Sequence, residues 1–497
     1  MNRGQRVETV LRKHPAVRDV SVFADGADSL QVLVVVDNAY FDRSLEVGGS
    51  EAKPIAKWRK VFDLTQLTKA AESAPVGFNT LGWNSSYTRK PLPADEMREW
   101  LQTTVEDILA LDPHSVYEIG CGTGMLVMAI ANQCERYIAA DFAPSVIRRL
   151  REQLQKTPNL GDRVQVLERA ANDFEALSRN STDTVIINSV VQYFPNLDYL
   201  NNVLERSMDL VKDGGRIFVG DILNLLLLRV FSFSVLRFQS NAETTIGQLQ
   251  EQVAKRIEDE QQLFLSPAYF HWLQSRFPRI SSVEVQPRRE KCDNEMSKFR
   301  YHAIIHIGGK ESSLVECPFL EWNELEYNIT QIRRLLQNGR TLIGLKNVKN
   351  ARLAGDLAIF ANIQMSDKNQ KVQTTEPGVP PVGVHPHDLI ELAETCGFNV
   401  LFSWKACYAD GNFDAAFIPV ELFKRFRRPF INWPCPDSSA FQSFANVPGQ
   451  GKVRRELVEH LFAYCRENLS SDLMPCGIRL VDSLEIYRAN ERTGHSR

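Results

Sequence analysis

The chain has 497 residues, with 58 basic against 61 acidic side chains, a formal net charge of -3, 43% hydrophobic residues and 24% charged ones. That balance is globular and excludes wholesale disorder, and near-neutral charge excludes the basic footprint of a nucleic-acid binder. The longest apolar run, near Ile222–Leu228, is far shorter than the ~20 residues that span a bilayer, so no membrane association is expected. The first thirty residues lack the apolar stretch of a secretory signal. Nine cysteines without a CxxC pair fit a reduced, cytoplasmic setting better than a disulfide scaffold or a zinc site.

Residues 1–57 read as a helix and a strand (VETVLRKHPAVRDVSVF), a turn at Asp25-Gly26, an alternating strand (LQVLVVVD) and a polar connector through Gly48-Gly49-Ser50. That is too little chain to bury a core alone. From about residue 95 to 220, helices alternate with strands: MREWLQTTVEDILAL, SVYEIG, MLVMAIANQC, RYIAADF, PSVIRRLREQLQ, RVQVLERA, DTVIINSV, LDYLNNVLERSMDLV and GGRIFVGDI. This alternation predicts a doubly wound, mostly parallel α/β sheet, with ligands at the carboxyl ends of the strands where the first strand turns into its helix. Between 222 and 310 a charged helix (IGQLQEQVAKRIEDEQQL) precedes antiparallel return strands around ISSVEV and FRYHAIIHIG. Residues 311–420 are less regular, with loops around Thr375–Pro381. The tail from 440 to 497 carries an amphipathic helix (RRELVEHLFAYCREN) and a strand-like IRLVDSLEIY.

The most informative segment is Tyr117-Glu118-Ile119-Gly120-Cys121-Gly122-Thr123-Gly124. Its glycines stand at GxGxG spacing, not at the GxGxxG of a nicotinamide site. Without Cβ atoms such a loop can pass close under a ligand in backbone conformations other residues avoid. Preceded by the acidic Glu118, it resembles the loop of class I S-adenosylmethionine (AdoMet) methyltransferases, which implies a Rossmann-like fold and AdoMet as cofactor. Asp141 ends the next strand, where a carboxylate accepts from ribose hydroxyls. Asn172-Asp173-Phe174 follows the third strand, placed to flank an adenine, and Asn188-Ser189 ends the fourth, over the reacting sulfonium.

A closer resemblance surrounds this core. Gly82-Trp83-Asn84-Ser85-Ser86-Tyr87-Thr88, the string Ile187 to Pro195 (INSVVQYFP), Arg216 to Asp221 (RIFVGD) and Asn294-Glu295…Phe299-Arg300-Tyr301 resemble N-methyltransferase domains of nonribosomal peptide synthetases. In that family the methyltransferase interrupts the small C-terminal subdomain of an adenylation domain. HPAVRDVSVF…LQVLVVVD and SDLMPCGIRLVDSLEIYRANER resemble the two halves of that subdomain. The resemblance implies four stretches: 1–57 and 440–497 as a split α+β remnant, 58–310 as the AdoMet-binding domain, and 311–439 as its α/β extension. The family's Asn-Gly-Lys near the C-terminus is replaced by Arg488-Ala489-Asn490-Glu491-Arg492, and the large adenylation core is missing. A free-standing protein without amino-acid activation, working beside a synthetase, is therefore expected.

The implied chemistry is methylation of an amine, on a small molecule or on an aminoacyl group tethered to a carrier protein. Tyr87, Trp83 and Phe142 are candidates for an aromatic cage round the sulfonium, each with core packing as its plain alternative. Asn188 and Tyr193 are assigned to orient the amine, and Asp221 or Glu295 to take its proton. A salt bridge from Glu295 to Arg288, Arg289 or Arg300 is the structural alternative. His302 and His306 share a strand face and His385 and His387 flank a proline, without further ligands, so no metal is expected. Family members commonly carry glycine at the position of Arg89, arginine at Leu223 and histidine at Ser232. The last two departures suggest a smaller, more apolar acceptor pocket. They leave a second enzyme open: an AdoMet cyclase forming azetidine-2-carboxylate and methylthioadenosine from AdoMet itself.

Overall fold

The computed structural model describes residues 2–24, 29–37, 40, 52–66, 75–309, 314–322, 328–339, 341–372, 383–426, 430–435, 443–481 and 483–484. The turn at Asp25-Gly26, the connector at Gly48-Gly49-Ser50, the loops around Thr375–Pro381 and the string Arg488 to Arg492 lie outside the described residues. Two compact units emerge: Met1–Ala56 with Glu258–Gln261 and Pro448–Arg497, and Lys57–Ile257 with Gln262–Val447.

In chain order the strands are β1 (Val17–Ala24), β2 (Leu30–Val36), β3 (Ser115–Ile119), β4 (Arg136–Asp141), β5 (Val164–Glu168), β6 (Thr182–Asn188), β7 (Val211–Leu223), β8 (Ile280–Pro287), β9 (Arg300–Ile307), β10 (Leu314–Val315), β11 (Phe319–Glu321), β12 (Ile343–Val348), β13 (Phe398–Ser403), β14 (Phe413–Pro419), β15 (Phe430–Ile431) and β16 (Gly477–Val481).

In the first unit β1 runs antiparallel to β2, and β16 joins β2 in parallel, so both ends of the chain share one sheet. The helix Arg3–Leu11 starts at a capping box on Asn2 and Gln5, which satisfies otherwise orphaned amides. Its Val7 and Leu11 pack with Val20, Val32 and Val34 and with Leu457 and Leu461 of the helix Gln450–Asn468. Neither end holds enough apolar surface for a core; together they close one.

The second unit is built on a seven-stranded sheet in the order β5-β4-β3-β6-β7-β9-β8. β3 to β7 are parallel, and β9 runs antiparallel to both β7 and β8. This is the Rossmann-like, doubly wound sheet the alternation predicts. Strand order reverses between β3 and β6, the switch point at which such sheets bind ligands.

Two expectations need correction. The stretch 311–420 is more regular than its sequence suggests: β11, β12, β14 and β13 form a four-stranded sheet. β12 carries an irregularity between Leu345 and Val348, and β14 is buried on both faces for six of its seven residues, so neither alternates with the period of two that betrays a strand. The helix Leu228–Gln239 also went unrecognised. Its residues Val230 to Val235 are all buried in succession, so the sequence there shows no amphipathic stripe. Among the described residues, no helix is long and apolar enough to cross a membrane.

Candidate active site

β3 delivers the chain into the glycine loop at the switch point. The amides of Gly120 and Cys121 both donate to the Ala140 carbonyl, at 2.7 and 2.9 Å, folding the loop back over the end of β4. Gly120, Gly122 and Gly124 have φ of +73°, +52° and +83°. A Cβ on Gly120 would stand 2.3 Å from Val190 Cγ2, and one on Gly124 2.4 Å from Leu150 Cδ1, whereas one on Gly122 would meet nothing within 4 Å. The loop is thus packed at both ends and open in the middle. That is a cradle for a ligand lying on Gly122.

Asp141 closes one side of the cradle. Its carboxylate accepts from the Gly122 amide at 3.0 Å and from the Ala143 amide at 2.9 Å. Burial pushes its pKa up to about 6, partly offset by those amides. Glu118 lies deeper, accepts from the Tyr137 hydroxyl at 2.9 Å, and is pushed up by burial to about 8. Asn172 accepts from the Tyr199 hydroxyl at 3.0 Å, Asp173 accepts from the Glu175 amide, and Phe174 meets the Tyr117 ring edge-on at 5.8 Å.

On the other side of β3, a bulge aims a second polar group. The β7–β9 register shifts between Val219 and Ile222, and Asp221 takes φ of +60°, strained for a non-glycine residue. The carboxylate is fully buried. Its Oδ2 accepts from the Ser189 hydroxyl and from Arg300 Nη1, both at 2.7 Å. Asn188 Nδ2 donates to Ser189 Oγ at 3.3 Å, and its own Oδ1 lies across Gly220, where a Cβ would stand 2.0 Å away. Asn188 Oδ1 and Asp221 Oδ1 are buried and have no hydrogen-bond donor. Buried acceptors are normally satisfied, and these two, linked through Ser189, are left without a protein donor. Tyr193 borders this place, with Trp58 and Phe62 edge-on to its ring at 4.7 and 5.2 Å. Burial raises its pKa.

The three rings considered for one cage stand apart. Phe142 meets Phe62 at 6.2 Å. Trp83 is turned onto Trp100 at 4.8 Å by the bridge between Asn84 and Pro91, and belongs to a core cluster with Leu92, Met97 and Met296. Tyr87 meets Phe238 and hydrogen-bonds Ser234. Among the described residues no ring contact joins Trp83 or Tyr87 to Phe142.

Glu295 makes none of the salt bridges considered for it. At the first turn of the helix Glu295–Phe299, it accepts from the amide and the hydroxyl of Ser86, at 2.7 and 2.8 Å. Arg300 pairs with Asp221, Arg288 with Glu290, and Arg289 with Glu106 and Asp107. Glu295 therefore holds the Ser86–Tyr87 segment, and Asp221 is the carboxylate beside Asn188 and Ser189.

His302 is held by Gln286 and His306 by Glu284, and the described residues contain no group of three metal-ligating side chains. Arg89 occupies an exposed turn at φ of +58°, where a glycine would be unstrained. Leu223 and Ser232 are buried, Ser232 completely and with no partner for its hydroxyl. Sequence reasoning overlooked Arg300 as the partner of Asp221, and Trp58 and Phe62 entirely. An arginine opening a strand that is buried along the rest of its length was the available signal for the first. Nothing in the helix Ala52–Gln66 distinguishes its aromatics before it folds against Tyr193.

Residues 117–217 match a methyltransferase domain family. Over 488 residues the chain is 34% identical to chondramide synthase cmdD of Chondromyces crocatus, covering 95% of this chain and 12% of that one. It is 30% identical over 441 residues to the nonribosomal peptide synthetase asqK of Emericella nidulans, covering 85% and 17% respectively. The chain thus spans less than a fifth of the length of these relatives. Among solved structures, the N-methyltransferase NodS from Bradyrhizobium japonicum is matched at 14% identity and a TM-score of 0.29, over 44% of this chain and 100% of that one. That likeness is too slight to add to the sheet order above.

Proposed function

We propose that this chain, which carries a methyltransferase domain and is related along its length to segments of nonribosomal peptide synthetases, is an AdoMet-dependent enzyme that methylates the amine of an amino acid or of a carrier-bound aminoacyl group. The observation that carries this reading is the pair of donorless buried acceptors, Asn188 Oδ1 on β6 and Asp221 Oδ1 on β7, one and two strands over from β3 and its glycine loop. An amine supplies the donors those two atoms lack. Bound AdoMet would supply an electrophilic methyl on a sulfonium. Gly120, Gly122 and Gly124 would leave room for it, Asp141 would take the ribose hydroxyls, and Asn172, Asp173 and Phe174 would flank the adenine. Asn188 and Tyr193 would orient the amine, and Asp221 Oδ1 would receive its proton while Ser189 and Arg300 hold Oδ2 in place.

The cofactor assignment has a pH signature. The ribose contact needs the ionised form of Asp141, whose pKa burial raises to about 6. Protonation therefore competes with binding below that value: the dissociation constant for AdoMet should weaken by roughly tenfold per pH unit in the acid limit and level off above it. Asp141→Asn should weaken binding by about 1–3 kcal/mol and flatten that dependence. Calorimetric titration across the range checks both, and an Asp141→Asn protein that binds as well as the parent would refute the ribose placement.

A second reading starts from one observation: Leu223 and Ser232, the positions expected to differ from family members, are both buried and offer no charged side chain. If that leaves no place for an external acceptor, AdoMet itself becomes the substrate. Its own amine forms a bond to its γ-carbon, the carbon–sulfur bond breaks with the electron pair going to sulfur, and the amine proton passes to Asp221. The products are azetidine-2-carboxylate and methylthioadenosine. Incubation with AdoMet alone, and then with amine acceptors, separates the readings. S-adenosylhomocysteine formed only with an acceptor supports methyl transfer. Methylthioadenosine formed without one establishes the cyclase.

The unit formed by the two chain ends would be the counterpart of the small C-terminal subdomain of an adenylation domain and would offer a docking surface for a synthetase. Support comes from relatives whose similarity runs through both ends of the chain.

A further inference from the structure

We propose that Gln192, in the short turn Val191–Tyr193, is a further amine-binding residue: its side-chain oxygen joins Asn188 Oδ1 and Asp221 Oδ1 in a set of three acceptors that takes a primary amine and turns away a secondary one. This deepens the reading above and rests on it. It holds for either reaction, since the amine of AdoMet is also primary.

Four hydrogen bonds gather on Ser189 and Asp221 and fix the direction of their donors. The Ser189 hydroxyl and Arg300 Nη1 both donate to Asp221 Oδ2, at 2.7 Å. With its single proton spent, Ser189 Oγ can only accept, so the Asn188 amide turns Nδ2 toward it, at 3.3 Å. The Gln192 amide turns Nε2 toward the Ser189 carbonyl at 3.0 Å, and a carbonyl never donates. Flipping either amide would set oxygen against oxygen. Asn188 Oδ1, Gln192 Oε1 and Asp221 Oδ1 are therefore the atoms left over, and all three are buried without a donor from the described residues.

The cluster stands against the glycine loop. Val190, next to Ser189, is the side chain that a Cβ on Gly120 would strike. Tyr193, next to Gln192, has its hydroxyl close enough to Arg300, Gln192 and Asp221 for each to shift its pKa. Backbone strain is concentrated in the same place. Ser189 and Asp221, which hydrogen-bond each other, both take left-handed conformations, φ +59° and +60°. Gln192 is anchored from the far side, its carbonyl accepting from the Leu263 amide at 2.9 Å.

A primary amine arrives as R–NH3+. Its proton passes to Asp221 Oδ1, which leaves R–NH2, a neutral carboxyl, and a nitrogen with one lone pair and two N–H bonds. Two amide oxygens, Asn188 Oδ1 and Gln192 Oε1, match those two bonds. With both held, rotation about the C–N bond stops and the lone pair keeps one direction. A secondary amine keeps one N–H and leaves a buried oxygen without a donor, so a singly methylated product is a poor substrate for a second transfer.

The test measures AdoMet consumption by the parent and by Gln192→Met, a change that nearly preserves shape and removes the oxygen. The amines are AdoMet alone, its derivative methylated on the α-amine, and proteinogenic α-amino acids as N-acetylcysteamine thioesters, each with and without one N-methyl group. The parent should prefer the primary form of whichever amine it uses by at least about tenfold. Gln192→Met should slow that primary amine by roughly 10- to 100-fold and shrink the preference to about threefold. A parent that uses both forms equally overturns the proposal. So does a variant that is slowed with its preference unchanged, since that marks a purely structural role. Should Gln192→Met fail to fold, the preference of the parent decides alone. A parent that consumes no AdoMet under any of these conditions refutes the functional reading, and thermal unfolding in methylammonium against trimethylammonium chloride then decides the amine site. Greater stabilisation of the parent by methylammonium, lost in Gln192→Met, upholds it. Equal stabilisation leaves the three oxygens to ordered water and overturns it.

Discussion

Alanine at Gly122 is expected to weaken AdoMet binding by roughly 10- to 100-fold while leaving the fold nearly intact, and alanine at Gly120 to damage both. The difference lies in what each new methyl meets. At Gly122 it enters open space in front of the loop, so only the left-handed backbone, φ +52°, resists it, at about 1 kcal/mol. The space it fills is the space assigned to the ligand. At Gly120 the methyl would come within 2.3 Å of Val190 Cγ2, on a backbone at φ +73°. Strain and overpacking together should cost roughly 2–4 kcal/mol of stability. Displacing Val190 also disturbs Ser189, its chain neighbour, and with it the hydrogen bond to Asp221. Urea unfolding and calorimetric titration of the two variants separate the effects. A Gly122→Ala protein with parental affinity would remove the loop from the binding site.

Arg288→Met should be the most destabilising single change, at about 3–5 kcal/mol. Arg288 and Glu290 are almost completely inaccessible, and the guanidinium reaches Glu290 through Nε at 2.8 Å and again through Nη2. Nη2 also donates to Thr104 Oγ1 at 3.0 Å, on the helix Ala94–Leu109. Burial alone would raise the pKa of Glu290, but the Arg288 charge overrides it and holds the carboxyl below its ordinary value. Its stabilising contribution is therefore present above the unfolded pKa of about 4.5 and is lost as pH falls through the lower folded value. Without Arg288 the sign reverses: the buried carboxyl prefers its proton, and the deficit should grow as pH rises from about 5 toward 8. Adding Glu290→Leu should recover part of the loss, since an apolar pair needs no compensating charge. Denaturant unfolding at several pH values tests this, and a pH-independent deficit would contradict it. The pair matters for the site because it fixes the start of the segment 288–300, which carries Glu295, Lys298 and Arg300. Arg352 holds the same segment, donating to the carbonyls of Arg288, Glu290 and Ser297.

The central sheet was legible because parallel strands buried on both faces read as short apolar runs between amphipathic helices. SVYEI, RYIAAD and TDTVIIN needed no neighbours to be recognised. The glycine loop was legible for a related reason: Gly120, Gly122, Gly124 and Asp141 answer to backbone conformation and strand ends, which local sequence reports. The polar cluster round Asp221 was only partly legible. Asp221 stood out as a carboxylate after a strand, but its partner Arg300 lies 79 residues away, and only the β7–β9 pairing brings them together. Glu295 stood out as a candidate proton acceptor with an arginine salt bridge as its alternative; in space the three nearby arginines are each claimed by another carboxylate, and Glu295 accepts from Ser86.

By itself, then, the sequence determined the class of sheet and the glycine loop with its acidic companion. These rest on periodicity, glycine spacing and motif order, all local along the chain. Only the tertiary structure decided that β16 completes the sheet begun by β1 and β2, that Trp83 packs against Trp100, and that Asn188 and Asp221 are left with buried acceptors unpaired. Those outcomes depend on which side chains distant segments bring into contact, and on which polar atoms remain unsatisfied once all the contacts are made.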